Sequence, residues 1–464
     1  LEYTPEWDGT AITGVVSGPL TDSVRARLAV RAAREDGYFE NNLTGNEEPN
    51  REEGAVRGII EWDITDRFSA SLKLERSNID FRGRNDEMYF TYTNPVPSSP
   101  FYGLTYPQIA MAVGALTGQD VGSDDGKQDY RRNTNLAETS DNEVNTATLR
   151  LDWDLDWATL TSVTGYVDYT VDERTDTDAA GIDAFTNKKD QSFDQFSQEI
   201  RFTSPGGEFI DWIGGAYFQT WDLEHQSLFL VDDQNLWSAL GILGAATGDP
   251  SLAALGALTN LQNSRNYDGD SDLWAVFAQG TFNLSDRFRL TVGARYSDEK
   301  KSAHRVMDVI NSQTGQFDLT QAVVANAVFG ADFKTLGEVT DGLYPIHDLR
   351  GERSESSFTP SAILEFDATE DTMLYVSAKK GFKSGGFDSQ GNAAGNFEFE
   401  DENVKAYEGG MKTRFAGGVA ELNVALFYTD YQDLQVSQFD GTLGFVVGNA
   451  AAATSQGVEL DGRW

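Results

Sequence analysis

The chain has no cysteine and only three histidines among its 464 residues. Without thiols there is neither a disulfide framework nor a thiolate metal site. His225, His304 and His347 stand far apart, with no second ligand at metal-binding spacing. They are expected in solvated loops, and no metal centre is expected. Basic residues are few: 36 Lys and Arg face 74 Asp and Glu, for a net charge of −38. That balance argues against nucleic acid as a partner, because phosphate recognition needs basic patches. No run of about 18 apolar residues occurs, and hydrophobic residues make up 39% of the chain, so no membrane-spanning helix is expected. Nor is there a G-x-S-x-G elbow, a P-loop or a G-x-G-x-x-G fingerprint. No catalytic set and no cofactor follow from these residues, and an enzyme is not expected. Asp268-Gly269-Asp270-Ser271-Asp272 has the look of a calcium loop but lacks the distal bidentate Glu. It reads as an acidic loop end.

What is present is alternation. Residues 402–436 read as one β-hairpin. Tyr407, Met411 and Phe415 alternate with Glu408, Lys412 and Arg414, the turn is Ala416-Gly417-Gly418, and Leu422, Val424, Leu426 and Tyr428 share one face of the return strand. Successive strand residues point to opposite faces, so the pattern gives a sheet with one apolar and one polar side. The same period runs through Val24, Ala26, Leu28 and Val30, through Phe68, Ala70, Leu72 and Leu74, and through Ala147, Leu149, Leu151 and Trp153. It returns at 159–171, where Val163, Val167 and Tyr169 are expected to face out. Phe288, Leu290, Val292, Ala294 and Tyr296 repeat it once more.

About sixteen strand candidates result, the fifteenth at 445–447. Short turns and long loops alternate strictly between them. A soluble sandwich has no reason to segregate its connections, whereas a transmembrane antiparallel β-barrel turns tightly on the periplasmic side and extends its loops outside. The expected fold class is therefore all-β, a barrel in outer-membrane lipid, with lipid contacting only alternate residues. The long loops carry short helices: one near 107–116, and two in the insertion 222–270, the second opened by Asp249 as N-cap and Pro250 at the first helical position.

Several segments resemble the TonB-dependent outer-membrane receptors. Leu374-Tyr375-Val376-Ser377, running into Lys380-Gly381-Phe382-Lys383-Ser384-Gly385-Gly386-Phe387, is the most specific. Tyr407-Glu408-Gly409-Gly410-Met411-Lys412-Thr413 follows. Ser17-Gly18-Pro19-Leu20, Arg34-Glu35-Asp36-Gly37-Tyr38, Ala425-Leu426-Phe427-Tyr428, Tyr431-Gln432-Asp433-Leu434-Gln435 and Gly457-Val458-Glu459-Leu460 complete the set. The resemblance spans almost the whole chain. It implies a barrel of 22 strands, about 16 of them here, whose lumen is filled by an N-terminal plug. The plug and the last strands are expected to lie outside residues 1–464. It further implies a receptor in the outer membrane of a Gram-negative bacterium, importing a scarce small molecule or metal chelate such as an iron–siderophore complex. The partner would be the TonB complex, reached through the plug. The alternative is a passive, porin-like channel.

The expected inward face carries Arg25, Arg27, Arg31, Arg57, Arg150, Arg201, Arg289, Arg295, Lys379, Lys412 and Arg414, with Glu61, Asp152, Glu365 and Glu421 among them. Unpaired charge toward lipid is costly, so these belong in a polar lumen. Arg25, Arg27, Arg150, Arg289, Arg295, Lys412 and Arg414 are the candidates for lumen or plug contact; pairing with neighbouring acids and guidance of an anionic ligand are both open. Among loop aromatics, Phe101, Tyr102 and Tyr106 are candidates for ligand contact or loop packing. Trp237 also falls in an external loop. Phe387, Tyr428 and Tyr431, near strand ends, are expected in an aromatic girdle at the headgroups.

Overall fold

Long alternating strands joined by short turns can only pair with their sequence neighbours, and they do. The structure, a computed structural model, describes all residues except 88–92, 94–102, 123–127, 179, 183, 232–233, 318–319, 322–323, 325–346, 392–396, 440–444 and 450–451. Its main sheet has 17 strands. Glu2–Thr4 and Gln316–Phe317 are short. The others are β1 (Gly9–Pro19), β2 (Val24–Glu35), β3 (Asn50–Thr65), β4 (Phe68–Arg82), β5 (Thr139–Asp154), β6 (Thr159–Asp176), β7 (Thr186–Thr203), β8 (Ile210–Leu230), β9 (Leu261–Asn283), β10 (Phe288–Asn311), β11 (His347–Thr369), β12 (Thr372–Lys383), β13 (Glu402–Phe415), β14 (Ala420–Gln432) and β15 (Ala452–Arg463). Each is antiparallel to the next from β1 to β15. Among the described residues β15 pairs only with β14, and no pairing joins it to β1.

One end of the sheet has only short turns, at 20–23, 66–67, 155–158, 204–209, 284–287, 370–371 and 416–419. The last needs left-handed backbone at Gly417 and Gly418 (φ 69 and 85), which glycine adopts without a Cβ clash. Near this end the outward face is apolar. Leu28, Val56, Ile60, Leu74, Val276, Val376, Leu426 and Val458 are all exposed, the pattern of strands facing hydrocarbon.

The expected strand count differs from the observed one by one element. Residues 445–447 belong to a loop hairpin, Gln435–Phe439 paired with Phe445–Asn449, outside the main sheet. Other differences concern strand ends. On the loop side the strands run well past the apolar band: β8 continues to Leu230 and β9 starts at Leu261. Both faces are wetter there, so hydropathy alternation fades while the hydrogen-bond ladder continues. Hence the three histidines lie in β8, β10 and β11 rather than in loops. Asp268 to Asp272 likewise lie inside β9, not at a loop end.

Among the described residues, the helices α1 (Tyr106–Thr117), α2 (Gln234–Thr247) and α3 (Pro250–Leu255) cap the loop side. Asp249 caps α3, its Oδ1 accepting from the backbone N–H of Ser251 and Leu252. Leu236, Trp237, Leu240, Leu255 and Leu258 pack with Ala110, Val113, Ile182, Val231 and Val309 in one buried cluster. Each fully buried Leu contributes roughly 1.5–3 kcal/mol. Three loops therefore share one core, and Trp237 is buried in it rather than displayed.

Candidate functional site: the inward face and the loops above it

Pairing register assigns each residue to a face. Tyr166 pairs across from Ala147 and Phe196, and all three belong to the apolar outward set. Val163, Val167 and Tyr169, separated from one another by even numbers of residues and from Tyr166 by odd ones, therefore face inward, opposite to the expectation. Thr164 and Tyr166 fill the outward positions of that strand. A strand whose two faces are equally mixed does not reveal its phase alone; its neighbours' apolar sets fix it.

The inward charges concentrate near the short turns. Arg25 reaches Glu61 (3.2 Å) and Asp63 (2.6 Å). Arg150 pairs with Asp152 at 2.6 Å, and Thr161 donates to the same carboxylate at 2.7 Å. Arg201 pairs with Glu199 at 2.7 Å and Arg289 with Glu365 at 3.2 Å, while Arg414 lies 3.9 Å from Asp371. This is a rim of Arg–carboxylate pairs contributed hairpin by hairpin. Arg295 is different: its guanidinium lies 5.3 Å from the Tyr217 ring centroid, and its Nε donates to Ser297 at 2.9 Å. Lys412 lies over Tyr375 at 5.8 Å. Arg27 is exposed two residues above Arg25. Among the described residues, no carboxylate within 4.0 Å is recorded for Arg27, Arg295 or Lys412.

Higher on the inward face, sequence reading missed an aromatic ladder. Tyr169, Phe193 and Trp221 sit on adjacent strands β6, β7 and β8. The first two rings are stacked with centroids 5.0 Å apart, and the next two are 6.1 Å apart. Gln191 donates to the Tyr169 hydroxyl at 2.8 Å. At this height the outward face changes from Tyr166, Phe196, Phe218 and Trp274 to Asp168, Asp194, Asp222 and Asp272. The ladder thus stands at the outer interface of the bilayer, inside the wall. The signal that could have found it is the cross-strand register, which fixes the phase of β6 and sets Tyr169 beside Phe193.

Beside the ladder, the loop after β12 folds inward onto β9, β10 and β11. Lys301 Nζ donates to Ser384 Oγ (2.6 Å) and to the Gly385 carbonyl (2.8 Å). Arg353 holds the Phe399 carbonyl at 2.7 Å and Glu398 at 2.9 Å. Arg305, fully buried, donates to the Asp388 carbonyl at 2.6 Å and to His347 Nε2 at 3.1 Å, and lies 5.0 Å from the Phe397 centroid. His347 must accept that bond, so its Nε2 carries no proton. Phe387 packs on Phe397 (centroids 5.1 Å apart) and is buried with Tyr267 and Ala303. It belongs to this inward fold and not to a girdle. Tyr428 is exposed on the outward face, whereas Tyr431, of opposite parity and paired with Val404, is inward. Glu355, Glu400 and Asp401 bring carboxylate oxygens within 4.8 Å of one another. Arg353 already contacts Glu355 and Glu400, so a cation's place among them is filled. Phe101 and Tyr102 lie outside the described residues. Tyr106 opens α1, and its side chain is likewise outside them.

A meander of antiparallel strands with a lipid-facing apolar band and a charged, aromatic-lined inner wall defines an outer-membrane β-barrel. The family model "TonB dependent receptor-like, beta-barrel" matches residues 36–464. The chain belongs to that family, and its place is the outer membrane of a Gram-negative cell. It is similar to the crystal structure of the ferric yersiniabactin uptake receptor FyuA from Yersinia pestis, with TM-score 0.69 and 15% identity over 98% of this chain and 56% of that one. It is also similar to the siderophore receptor PiuA from Acinetobacter baumannii, with TM-score 0.63 and 14% identity over 98% of this chain and 59% of that one. At these identities the likeness is one of fold. A curated relative, the pesticin receptor of Yersinia enterocolitica, is 24% identical over 192 residues, 41% of this chain and 23% of the relative. The chain thus spans less than two thirds of the relatives it matches. The family and these relatives are receptors, not enzymes.

Proposed function

We propose that the chain is the barrel portion of a receptor that imports a scarce metal chelate, an iron–siderophore complex, by TonB-coupled displacement of a plug. The ladder Tyr169–Phe193–Trp221 carries this reading: three rings inside the wall, level with the outer bilayer interface, below the extended strands and loops that a ligand entering from outside would pass. Aromatic faces bury large area at small entropic cost. The Arg–carboxylate rim lies lower, where a plug would contact it, and its charges are mutually neutralised. Anionic guidance is thus better supported at Arg27, Arg295 and Lys412 than at Arg25, Arg150, Arg289 or Arg414. The reading requires a plug and further strands between β15 and β1, which we propose as the remainder of the receptor.

The test is uptake of radioactive iron, as ferric chelates, by cells whose only such receptor is the whole gene product. Uptake should stop when the proton-motive force is collapsed, and Trp221→Ala should reduce it about tenfold, the scale of a lost aromatic anchor. Uptake that persists without the proton-motive force, together with steady conductance of the purified protein in planar bilayers, would replace this reading by the passive channel.

A further inference from the structure

One aromatic cluster belongs neither to the ladder nor to a girdle. Girdle rings come one per strand at alternate positions, as Tyr166, Phe196 and Phe218 do. Trp7, Tyr38, Phe39 and Tyr130 instead come from three connections on the loop side. Their centroids are 6.2 Å apart for Trp7–Tyr38, 4.9 Å for Tyr38–Phe39, 6.0 Å for Tyr38–Tyr130 and 5.5 Å for Phe39–Tyr130. Phe39 is the buried base, 6% exposed, while Trp7, Tyr38 and Tyr130 are 43%, 46% and 53% exposed. Tyr38 and Tyr130, away from the free edge of β1, are two large rings from separate loops left open to water, which loops rarely do without a use.

The platform is rigid. Asp36 N–H donates to the Trp7 carbonyl, Tyr38 N–H to the Glu48 carbonyl and Glu40 N–H to the Tyr130 carbonyl. Asn85 donates to the Tyr38 hydroxyl at 3.3 Å. Tyr130 is held at φ 61, a conformation bulky residues rarely adopt, with its N–H on Glu87. Polar groups flank the rings along the chain: Asp36, bonded to Arg34, lies two residues before Tyr38, and the exposed pair Arg131–Glu40 at 3.1 Å follows Tyr130 and Phe39 directly.

We propose that this cluster is a saccharide-binding site taking pyranose rings. A pyranose offers an apolar C–H face that stacks on an aromatic ring and an equatorial fringe of hydroxyls that bonds carboxylate, amide and guanidinium groups. Exposed rings edged by Asp36, Asn85, Glu40 and Arg131 supply both. Lipid acyl chains would need no such fringe. The sugar can be borne on an outer-leaflet lipid headgroup or be free outside the cell.

The experiment is calorimetric titration of the whole gene product, folded in detergent micelles, with three probes: intact lipopolysaccharide, its delipidated core oligosaccharide, and maltoheptaose. The variants are Tyr38→Ala and Tyr130→Asn, the latter chosen because Asn tolerates the left-handed backbone. Trp157→Phe, on a short turn at the opposite end, is the control. Retained heat-modifiability on gels shows that each variant is folded. The site is supported if the core oligosaccharide binds and each ring variant weakens it about tenfold, with the control unchanged. Equal binding of maltoheptaose places the sugar free in solution; preference for the core places it on the lipid. Binding of intact lipopolysaccharide alone, unaffected by the ring variants, overturns the proposal in favour of acyl contact. Absence of binding by all three probes also overturns it. Neither result bears on chelate uptake.

Discussion

The two ends of this barrel wall are built by different solvents. Toward the short turns the outward face is hydrocarbon-apolar, the strands alternate strictly, and inward charges pair at half-exposed distance from one another. Toward the loops the same strands continue with acids outward, and stability passes to a true hydrophobic cluster under α1, α2 and α3 and to buried ion pairs. Lipid dictates one half and loop packing the other. A charge is cheap or costly according to which half, and which depth, it occupies.

Arg132 sharpens this most. Its side chain is 3% exposed and lies 2.8 Å from Glu48, 2.6 Å from Glu138 and 2.8 Å from Asp86. Burial outweighs the guanidinium at Glu138, whose carboxyl is held above its ordinary range. Arg132→Ala leaves Glu48 and Glu138 buried without their cation, at a cost of about 3–5 kcal/mol. Hydrogen exchange should show lost protection at 39–48 and 131–134, where the small sheet of Phe39–Asn41, Glu47–Glu48 and Arg131–Arg132 forms. The rim pair gives the contrast. Arg289→Ala removes the shared partner of Glu365 and Asp367, each about a third exposed and able to rehydrate, and should cost about 1 kcal/mol or less. Equal losses would erase the distinction between the two ends.

Within one strand and one face the contrast can be drawn four residues apart. Leu74, 52% exposed and outward, sits in the apolar band of β4; Asn78, also exposed, lies above it beside Asp80 and Asp141. Leu74→Arg should destabilise the protein folded in lipid vesicles by about 1–2 kcal/mol, the cost of a cation in the apolar band between the midplane and the outer interface, where the register partner of Leu74 across Ala147 is Tyr166. Asn78→Arg should fall within about 0.5 kcal/mol. Urea titration of both variants reads the difference. A similar small effect at both positions would mean that Leu74 does not face lipid.

This same boundary explains what the sequence reveals. Where lipid selects residues, as at Phe68 to Leu74 or Leu422 to Tyr428, phase and strand are legible from alternation. Hairpins with Ala416-Gly417-Gly418 chemistry are legible too, as are α1 and α3 from their Pro and caps. Above the bilayer the selection relaxes. Asp268 to Asp272 therefore read as a loop end, and Phe387 read as girdle although its loop folds inward. The phase of Tyr169 needed its neighbours, because Val163 and Val167 satisfy either face. Trp221 and Phe193 become a ladder only through cross-strand register, which no single strand encodes. Tyr38 and Tyr130 meet through loops separated by most of a hundred residues, a juxtaposition set by the Arg132 network.

The smallest expected effect lies in the loop 177–185, on the packed side of the comparison. The Asp178 carboxylate accepts from the backbone N–H of Ala180 (3.1 Å), Ala184 (3.3 Å) and Phe185 (3.0 Å). Burial first, then the charge of Asp176, push its carboxyl well above the usual range, with the three N–H donors opposing in part. Because the folded value exceeds the unfolded one, the proton favours the folded loop. Its stability is greatest near and below about pH 4, the ordinary carboxylate value, and falls as pH rises toward the folded value. Amide protection at 180–185, corrected for intrinsic exchange, should therefore decline with rising pH while that of β6 stays constant. Asp178→Asn should abolish the pH dependence. It should also lower protection at every pH, since a carboxamide presents one acceptor oxygen to three donors. A loop whose protection rises with pH would mean that the three N–H groups outweigh burial, and this end of the wall would then follow the half-exposed rule of the rim.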